Sequence, residues 1–546
     1  MPLAYSTGAA LRLPTLSPIA LNVLVTTYLI AASNATFWGH LTRIFQERPL
    51  PGMAFAVVIW ALTLVLVNLV AVRWLQKTVL AVLVIVSAVT SYYVDVLGIV
   101  VDREMIQNAA ETTLAESGHM ITLRFVLHVL VFGLLPAAVI LCFPVRRSLL
   151  GRALGSWALV TVGTVALAGG LLFANYKDLS SVLREQKELL ASAQPLAPFA
   201  GAVRYARMML KSTQIVVAPL GTDARPGPFL AASPKPVLVV IAVGETARAA
   251  NWSLGGYDRE TNPELAKRDI LYFSQVSSCG TSTAVSVPCM FSNLGKDSYS
   301  YTAGLSQENL LDVLVHAGFA VEWLDNNSSD KGVATRVPKR MMTAADGAEF
   351  CAAECLDGIF LRQIEEKART ITRNTVIVTH QMGSHGPSYW QRYPEKFAKF
   401  QPACATDELA RCSSAEIVNA YDNSIRYTDR VLAQTIDLLQ ASDRVIPALY
   451  YVSDHGESLG EGGLYLHGAP DFMAPEEQTH VPMVIWMSER FRASLGIDQE
   501  CLSAGKDDPV SHDNLFSTVL GLLDVTTSVR DPARDLAGSC RTGVTG

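Results

Sequence analysis

A run of hydroxyl side chains between two cysteines is the part of the sequence best suited to covalent chemistry. Residues Ser278–Met290 read Ser-Cys-Gly-Thr-Ser-Thr-Ala-Val-Ser-Val-Pro-Cys-Met. Hydroxyl groups inside a folded protein need water, backbone or a ligand as hydrogen-bond partners, and a bridge from Cys279 to Cys289 would hold the loop still. We therefore expect a loop hydroxyl to act as a nucleophile once a base or a metal favours its alkoxide. Residue types alone do not separate Thr281 from Thr283.

Acidic and imidazole side chains follow the ends of predicted strands. Glu245, His385 and the pair Asp454/His455 each come shortly after an apolar, β-branched run. Because ligands bind beyond the carboxyl ends of parallel strands, we expect these groups to meet at one edge of a sheet. Carboxylates and imidazoles suit Zn²⁺, which can polarise a phosphoryl oxygen. The prediction is a zinc site of Glu245, Asp454, His455 and one loop hydroxyl, with His385 and His467 holding a second metal or the substrate's phosphate.

The elements that position these groups form an α/β pattern. Continuous apolar runs of this kind are typical of buried parallel strands covered by helices on both faces, and helical stretches separate them. The predicted strands are Lys235–Glu245, Phe319–Asn326, Thr375–His380 and Ala448–His455, and the longest predicted helix is Ala415–Ala441.

Length and composition indicate a membrane protein with a soluble part. The chain has 546 residues, 50% of them hydrophobic and only 17% charged, and a mean hydropathy of +0.26. This length predicts at least two domains. A net charge of -6 without a basic run argues against a nucleic-acid partner.

Five apolar runs are long enough to cross a bilayer. We predict a five-helix transmembrane domain over 1–175, an interfacial linker over 176–230 and a catalytic domain over 231–546. The linker contains two amphipathic stretches, Leu179–Leu190 and Phe199–Lys211, and a plain tether is an equally good interpretation of it. The five runs are Pro18–Trp38, Pro51–Val72, Val79–Val100, Ile121–Phe143 and Ala153–Asn175.

Basic loops and cysteines predict the same topology. Arg73 and Lys77 follow the second run, and Arg146, Arg147 and Arg152 follow the fourth, so the positive-inside rule places these loops in the cytoplasm and the C-terminal domain outside. Cys142 lies in an apolar run, whereas the other eight cysteines follow residue 278. Their spacing, without a Cys-x-x-Cys pair, favours disulfides in an oxidising compartment over zinc. The pairs are Cys279/Cys289, Cys351/Cys355 and Cys404/Cys412, which leaves Cys501 and Cys540.

The second outer loop, Val101–Met120, carries polar residues at helical spacing. Asn108, Glu111, Thr112 and Glu116 recur so that several share one helix face. Pattern alone favours a solvated connector. The functional alternative is a polar shelf that holds a lipid head group.

Seven motifs in the outer domain and one in this loop resemble the lipid A phosphoethanolamine transferases, the family that includes the mobile colistin-resistance enzymes. They extend across nearly the whole outer domain, and the five apolar runs fit the family's membrane half. The motifs are Gly244–Arg248, Asn251–Tyr257, Ser278–Met290, Asp325–Ser328 with Lys331, His380–Pro387, Ser453–Gly460, Tyr465–Gly468 and Gln107–Glu116.

The resemblance implies an α/β/α alkaline-phosphatase-like domain in the periplasm and gives roles to individual residues. It implies that Thr283 is the nucleophile, whereas Thr281, Ser282 and Ser286 are left to hydrogen bonding within the loop. It implies one zinc, leaves a second open, and supports a bridge for the cysteine pairs; pairing Cys501 with Cys540 is our own inference. The implied zinc ligands are Glu245, Thr283, Asp454 and His455. The implied contacts with the substrate or a second metal are His385, His467, Lys331, Ser328, Asn108, Thr112 and Glu116. For Asn108, Thr112 and Glu116, this lipid-binding role replaces the interpretation of the loop as a solvated connector.

The implied activity is transfer of phosphoethanolamine from phosphatidylethanolamine to a lipid A phosphate through a phosphothreonine-type intermediate. The expected protein is a monomeric, multi-pass protein of the Gram-negative inner membrane. Its product would lower the negative surface charge and give resistance to cationic peptides such as polymyxin. The alternative acceptors are the lipopolysaccharide core and periplasmic glucan. A non-catalytic sensor is disfavoured because Glu245, Thr283, Asp454 and His455 are all present.

Overall fold

A computed structural model describes residues 15–71, 74–112, 114–146, 148–213, 215–352 and 354–541. The side chains of residues 114–116, 180 and 181 also lie outside the description, so that of the predicted Glu116 is not placed, and neither are Arg73 and Arg147 of the topology argument. The chain forms two compact units. The first contains the described residues up to Asp102 together with Leu123–Ala200, and the second contains Arg103–Thr122 and the described residues from Gly201 onward.

Helices account for nearly all of the first unit. In the described part of the chain, four helices are long and apolar enough to cross a membrane, namely α3, α4, α7 and α8, so the predicted multi-pass part is confirmed. The helices up to residue 212 are α1 (Pro18–Ala32), α2 (Ala35–Ile44), α3 (Pro49–Val70), α4 (Gln76–Leu97), α5 (Arg103–Glu111), α6 (Leu114–Met120), α7 (Leu123–Cys142, with a π-helical turn at Leu130–Leu134), α8 (Leu150–Ala174), α9 (Tyr176–Glu185), α10 (Lys187–Ala191) and α11 (Leu196–Ser212).

The first predicted span differs from a single helix. α1 and α2 are bent by 71° at a short break, and they make a fifth span only if this pair is counted as one. Asn34 stabilises the break, because its side-chain amide donates to Leu29 O at 2.9 Å and to Gln194 O at 3.0 Å, while its Oδ1 accepts from Gln194 N at 2.8 Å. A buried amide that satisfies freed backbone groups can end a helix inside an apolar run.

An eight-stranded sheet forms the centre of the second unit. Its strands are β1 (Val237–Gly244), β2 (Ile270–Ser277), β3 (Ala320–Asp325), β4 (Lys339–Met341), β5 (Thr375–His380), β6 (Ile446–Ser453), β7 (His480–Met487) and β8 (Val510–Ser511). Their spatial order is β8-β2-β7-β6-β1-β5-β3-β4, and β7 alone runs antiparallel to its neighbours. Two short antiparallel strand pairs lie outside it. They are Arg225–Pro226 with Val525–Thr526 and Ser458–Leu459 with Tyr465–Leu466.

Helices cover both faces of this sheet. Every residue of β1 is buried, so its alternating side chains face a core on each side. This confirms the predicted alkaline-phosphatase-like α/β domain. The α-helices of this part are α12 (Pro228–Ala231), α13 (Thr283–Met290), α14 (Tyr301–Leu305), α15 (Leu310–His316), α16 (Phe360–Thr370), α17 (Ser414–Ala441), α18 (Glu476–Thr479), α19 (Glu489–Leu495), α20 (Gln499–Ala504) and α21 (Asp513–Leu522).

Eight cysteines form four disulfides in the second unit, as their number and spacing predict. Cys142 remains a free, exposed cysteine. The bridges are Cys279–Cys289, Cys351–Cys355, Cys404–Cys412 and Cys501–Cys540. The linker boundaries at residues 176 and 230 remain predictions, while the predicted helix Leu179–Leu190 is divided at Gln186 into α9 and α10.

Candidate metal and nucleophile site

Thr283 is the first residue of α13, so the predicted loop Ser278–Met290 is a loop only in its first part. Ser282 precedes the helix in extended conformation, and its carbonyl accepts from Val285 N at 3.1 Å and from Ser286 N at 2.8 Å. The first N–H groups of a helix have no partner within it and favour negative charge. A hydroxyl at this position is therefore placed where an alkoxide or a phosphoryl group is stabilised.

The four predicted ligands of the nucleophile site meet around one imidazole nitrogen. His455 Nε2 lies 3.4 Å from Thr283 Oγ1, 3.4 Å from Glu245 Oε1 and 3.3 Å from Asp454 Oδ2. Thr283 Oγ1 also donates to Glu245 Oε2 at 3.2 Å. All four side chains are buried.

The hydrogen bond of His455 Nδ1 determines which ring nitrogen of His455 carries the hydrogen. His455 Nδ1 lies 2.9 Å from Gly456 O. A carbonyl can only accept, so Nδ1 carries the hydrogen and the Nε2 lone pair points at the cluster. Burial lowers the pKa of His455 well below its ordinary value, which keeps the ring neutral.

This arrangement fits a divalent cation. Burial raises the pKa of Asp454 to about 6, and Asp454 Oδ2 accepts no hydrogen bond within the described residues. Two carboxylates and an imidazole lone pair thus share one buried space, which is costly unless a positive charge joins them. Nitrogen and oxygen donors in this number are those that zinc takes.

His467 lies beside the predicted zinc ligands and not at a separate second site. Its ring and that of His455 have centroids 4.5 Å apart, and donor atoms of Glu245, His455 and His467 all lie within 4.8 Å of one another. His385 is next in line, with its ring centroid 5.2 Å from that of His467. His467 can therefore share a metal with Glu245 and His455.

Sequence reasoning assigned no role to Glu457. Its carboxylate lies 2.9 Å from His467 Nδ1 and accepts from Tyr389 Oη at 2.6 Å. A carboxylate behind a ligating imidazole fixes the tautomer and raises its basicity. The available signal was the position of Glu457 within the motif Ser453–Gly460.

The side-chain amide of Asn327, to which sequence reasoning assigned no role, holds the Glu245 carboxylate. Asn327 Nδ2 donates to Glu245 Oε2 at 2.6 Å and to Gln381 O at 2.8 Å. The adjacent Gly383 has φ +53°, and a Cβ there would meet Glu245 O at 2.4 Å. Asn327 thus holds the carboxylate of Glu245, and the close approach of Gly383 holds its backbone.

His512 joins the nucleophile helix α13 to β6, the strand that ends at Ser453. Its Nε2 lies 2.9 Å from Ser453 O, and its Nδ1 lies 3.1 Å from Cys279 N and 3.2 Å from Ser286 Oγ. Burial lowers the pKa of His512 to about 4, so a neutral ring donates at Nε2 and accepts at Nδ1. No motif surrounds this residue in the sequence, which is why it was missed.

The neighbouring hydroxyls divide into two groups. Thr281 donates to Ala469 O at 2.6 Å, and Ser286 donates to Asp454 O, as predicted for loop hydrogen bonding. Ser282 Oγ is buried and has no hydrogen-bond partner within the described residues. The prediction is wrong for Ser282, because its carbonyl rather than its hydroxyl caps α13.

The predicted head-group residues, other than Glu116, belong to two described segments. Lys331 Nζ donates to Ser328 O at 2.9 Å, and both residues are buried. Asn108 belongs to α5, and Thr112 directly after it donates from Oγ1 to Asn108 O at 2.7 Å. α5 packs against α13 within the second unit.

Fold and site together define an alkaline-phosphatase or sulfatase type of domain attached to membrane helices. The family model "Sulfatase" matches residues 237–525, and the model "Phosphoethanolamine transferase EptA/EptB" matches residues 59–210. The chain belongs to the EptA family of phosphoethanolamine transferases.

Relatives match over nearly the full length. Phosphoethanolamine transferase EptA of Escherichia coli (strain K12) is 37% identical over 97% of this chain and 98% of its own length. Phosphatidylethanolamine transferase Mcr-1 of Escherichia coli is 38% identical over 93% and 95%. The structure of the integral membrane lipooligosaccharide phosphoethanolamine transferase A from Neisseria meningitidis is 35% identical and covers 97% of this chain and 100% of that one, with a TM-score of 0.93.

Replacing Gly383 with Ala should displace Glu245 and weaken metal binding. The added Cβ overlaps Glu245 O, and disturbing the support of a ligand costs about 10- to 100-fold in metal affinity. Gly318→Ala is the control, since Gly318 also has positive φ (+89°) but has nothing within 4 Å of its Cβ. Competition with a zinc chelator measures the affinity. Equal affinities of the two variants would contradict this account of Glu245.

Replacing His512 with Ala should lower the free energy of unfolding by about 2–4 kcal/mol, because buried backbone groups lose their partners. His316→Ala should change it by less than about 0.5 kcal/mol, since His316 is partly exposed and pairs with Glu308 at the surface. Thermal unfolding of the purified protein compares the two. If the His512 variant were as stable as the His316 variant, the hydrogen bonds of His512 would contribute little to the free energy of unfolding.

Proposed function

We propose that the protein transfers phosphoethanolamine from phosphatidylethanolamine to a phosphate of lipid A. The observation that carries the proposal is the buried Thr283 hydroxyl, 3.2 Å from Glu245 Oε2 and 3.4 Å from His455 Nε2 at the start of α13. The family relation supports the same chemistry, and one relative at 27% identity is named Kdo(2)-lipid A phosphoethanolamine 7''-transferase.

In the first half-reaction, Thr283 Oγ1 attacks the phosphorus of the donor. A bond from Thr283 to phosphorus forms, the bond to the diacylglycerol oxygen breaks, and the hydroxyl proton leaves toward Glu245 Oε2, to which Thr283 already donates. The diacylglycerol oxygen takes a proton from an imidazolium, for which His385 and His467 are the candidates because His455 is assigned to the metal.

In the second half-reaction, a phosphate oxygen of lipid A attacks the phosphothreonine. The new bond joins the acceptor to phosphorus, the bond to Thr283 breaks, and the threonine oxygen regains its proton from Glu245 Oε2, which took it in the first half-reaction. Lys331 and the N-terminal N–H groups of α13 stabilise the charge on the transferring group in both halves.

We also propose zinc as the resident metal. It supplies positive charge that polarises the phosphoryl group, and the residues that would hold it are Glu245, Thr283, Asp454 and His455. His385 and His467 would contact the substrate's phosphate or a second zinc. Asn108, Thr112 and Glu116 would hold the donor lipid together with Ser328.

The proposed location is the inner membrane of a Gram-negative cell, with the catalytic unit in the periplasm. The apolar helices and the four disulfides support this placement. A protein confined to the plane of its lipid substrates meets them at a raised effective concentration. We expect a monomer. Each transfer adds an amine, which lowers the negative charge that attracts polymyxin.

Thr283→Ala should abolish modification of lipid A, with a loss of at least about 1,000-fold, because no other group can form the intermediate. Thr281→Ala should stay within about 10-fold, since Thr281 hydrogen-bonds only a backbone carbonyl in the structure. Mass spectrometry of lipid A incubated with phosphatidylethanolamine and each variant measures this. The assignment of Thr283 is refuted if Thr283→Ala stays active while Thr281→Ala does not, and modification of glucan or core sugars instead of lipid A would refute the acceptor.

Removing the metal with a chelator should abolish transfer while leaving the far-ultraviolet circular dichroism unchanged. Added Zn²⁺ should restore activity better than Mg²⁺, because Mg²⁺ prefers oxygen ligands whereas this site offers imidazole. Restoration by Mg²⁺ alone would argue for a different resident ion.

A further inference from the structure

α5 lies beside the catalytic groups, although the sequence places it among the membrane helices. It packs against α13, and Met105 Cε lies 2.7 Å from the position that a Cβ on Gly468 would take, next to His467. α5 therefore borders the space in which the transferred group must lie.

The last residue of α5, Glu111, meets the buried Lys331. Lys331 Nζ lies 3.8 Å from Glu111 Oε2 and 3.5 Å from Glu111 O. The Lys331 side chain is 2% exposed and that of Glu111 is 27% exposed. Within the described residues, Glu111 provides the one carboxylate within ion-pair distance of this ammonium.

The charged groups of Lys331 and Glu111 are farther apart than those of the nearby ion pair between Lys339 and Asp330; we call such a pair open. Lys339 and Asp330 of the same region approach to 2.7 Å, the normal length of a charge-assisted hydrogen bond. At 3.8 Å, Lys331 and Glu111 make no direct hydrogen bond between their charged groups. Glu111 Oε1 accepts from Gln107 Nε2 at 3.1 Å, and Lys331 Nζ donates to Ser328 O at 2.9 Å. Glu111 Oε2 and the other ammonium hydrogens keep bonding capacity for a third group.

The backbone around Lys331 is held in an uncommon conformation and is tied to the metal cluster. Lys331 has φ +47° and Ser329 has φ +88°, values that cost energy for residues other than glycine and are concentrated at functional sites. Ser328 N donates to Asn327 Oδ1 at 2.6 Å, and Asn327 binds Glu245. The position of the ammonium is thus coupled to that of a proposed ligand.

We propose that Lys331 and Glu111 form a complementary pair for a zwitterionic head group, in which Lys331 binds the phosphate and Glu111 binds the primary ammonium. This inference rests on the proposed function and names Glu111 as the residue that selects ethanolamine. Phosphoethanolamine carries its opposite charges on neighbouring groups joined by two carbons, which matches an open cation–anion pair. A primary ammonium donates three hydrogen bonds, whereas a trimethylated one donates none and is bound by aromatic cages instead.

The test is a binding measurement on the full-length zinc-loaded protein with three probes: phosphoethanolamine, phosphocholine and inorganic phosphate. The wild type should prefer phosphoethanolamine to the other two. Glu111→Gln, of the same shape, should lose about 10- to 100-fold in affinity for phosphoethanolamine, the range for a charge-assisted hydrogen bond, and change less than about threefold for phosphate and phosphocholine.

Glu104→Gln is the matched control. Glu104 lies on the same helix with a 33% exposed side chain, and it pairs with Arg103 at 2.6 Å. This variant should bind all three probes as the wild type does. A loss in Glu104→Gln equal to that in Glu111→Gln would overturn the assignment to Glu111.

Two further outcomes would overturn the pair. If Glu111→Gln loses phosphate and phosphoethanolamine affinity equally, Glu111 serves only as the counter-ion of Lys331. If it loses neither, Glu111 does not touch the head group.

Turnover separates this inference from the proposed function. The wild type should release diacylglycerol from phosphatidylethanolamine in vesicles, and Glu111→Gln should reduce that rate by about 10- to 100-fold. If the wild type binds phosphoethanolamine through Glu111 but releases no diacylglycerol, the proposed donor fails and the pair stands. If the wild type turns over and Glu111→Gln does so equally well, the pair fails and the proposed function stands.

Discussion

Two carboxylates with no solvent exposure, Glu245 and Asp454, lie within 3.4 Å of the same imidazole nitrogen of His455. Placing these groups together in a protein interior costs free energy that their own contacts do not return. A bound cation would offset that cost, and the surrounding residues hold the groups in place. Asn327 holds Glu245, Glu457 holds His467, and Gly456 O holds His455.

The register of the sheet explains why these groups meet. β1 and β6 are parallel neighbours in which Gly244 pairs with Ser453, so the next residues, Glu245 and Asp454, leave the sheet side by side. Asp454 N donates to Gly244 O at 2.9 Å, and Asp454 Oδ1 accepts from Thr246 N at 3.2 Å. Apolar runs with polar ends therefore predicted both the strands and the edge where the candidate metal ligands meet.

Other parts of the fold left no such signal in the sequence. β2 alternates irregularly between buried and partly exposed residues. β7 is apolar and buried after His480, but it contains Pro482, and a proline inside a run argues against a central strand. The break between α1 and α2 depends on Gln194, far away in the sequence. His512 and Asn327 act through hydrogen bonds that only tertiary structure creates. Which threonine is the nucleophile likewise could not be decided from chemistry, and only the family resemblance pointed to Thr283.

The second unit is discontinuous in sequence, since Arg103–Thr122 belongs to it and the two long apolar helices α7 and α8 separate this segment from Gly201. During synthesis, Glu111 leaves the ribosome 220 residues before Lys331. α7 and α8 precede Gly201 in the chain, so both are complete before the strands and disulfides of the second unit are made. α5 is therefore made before its packing partner α13 and its ion-pair partner Lys331, and a newly made chain must bring this early segment together with the later strands to complete the second unit.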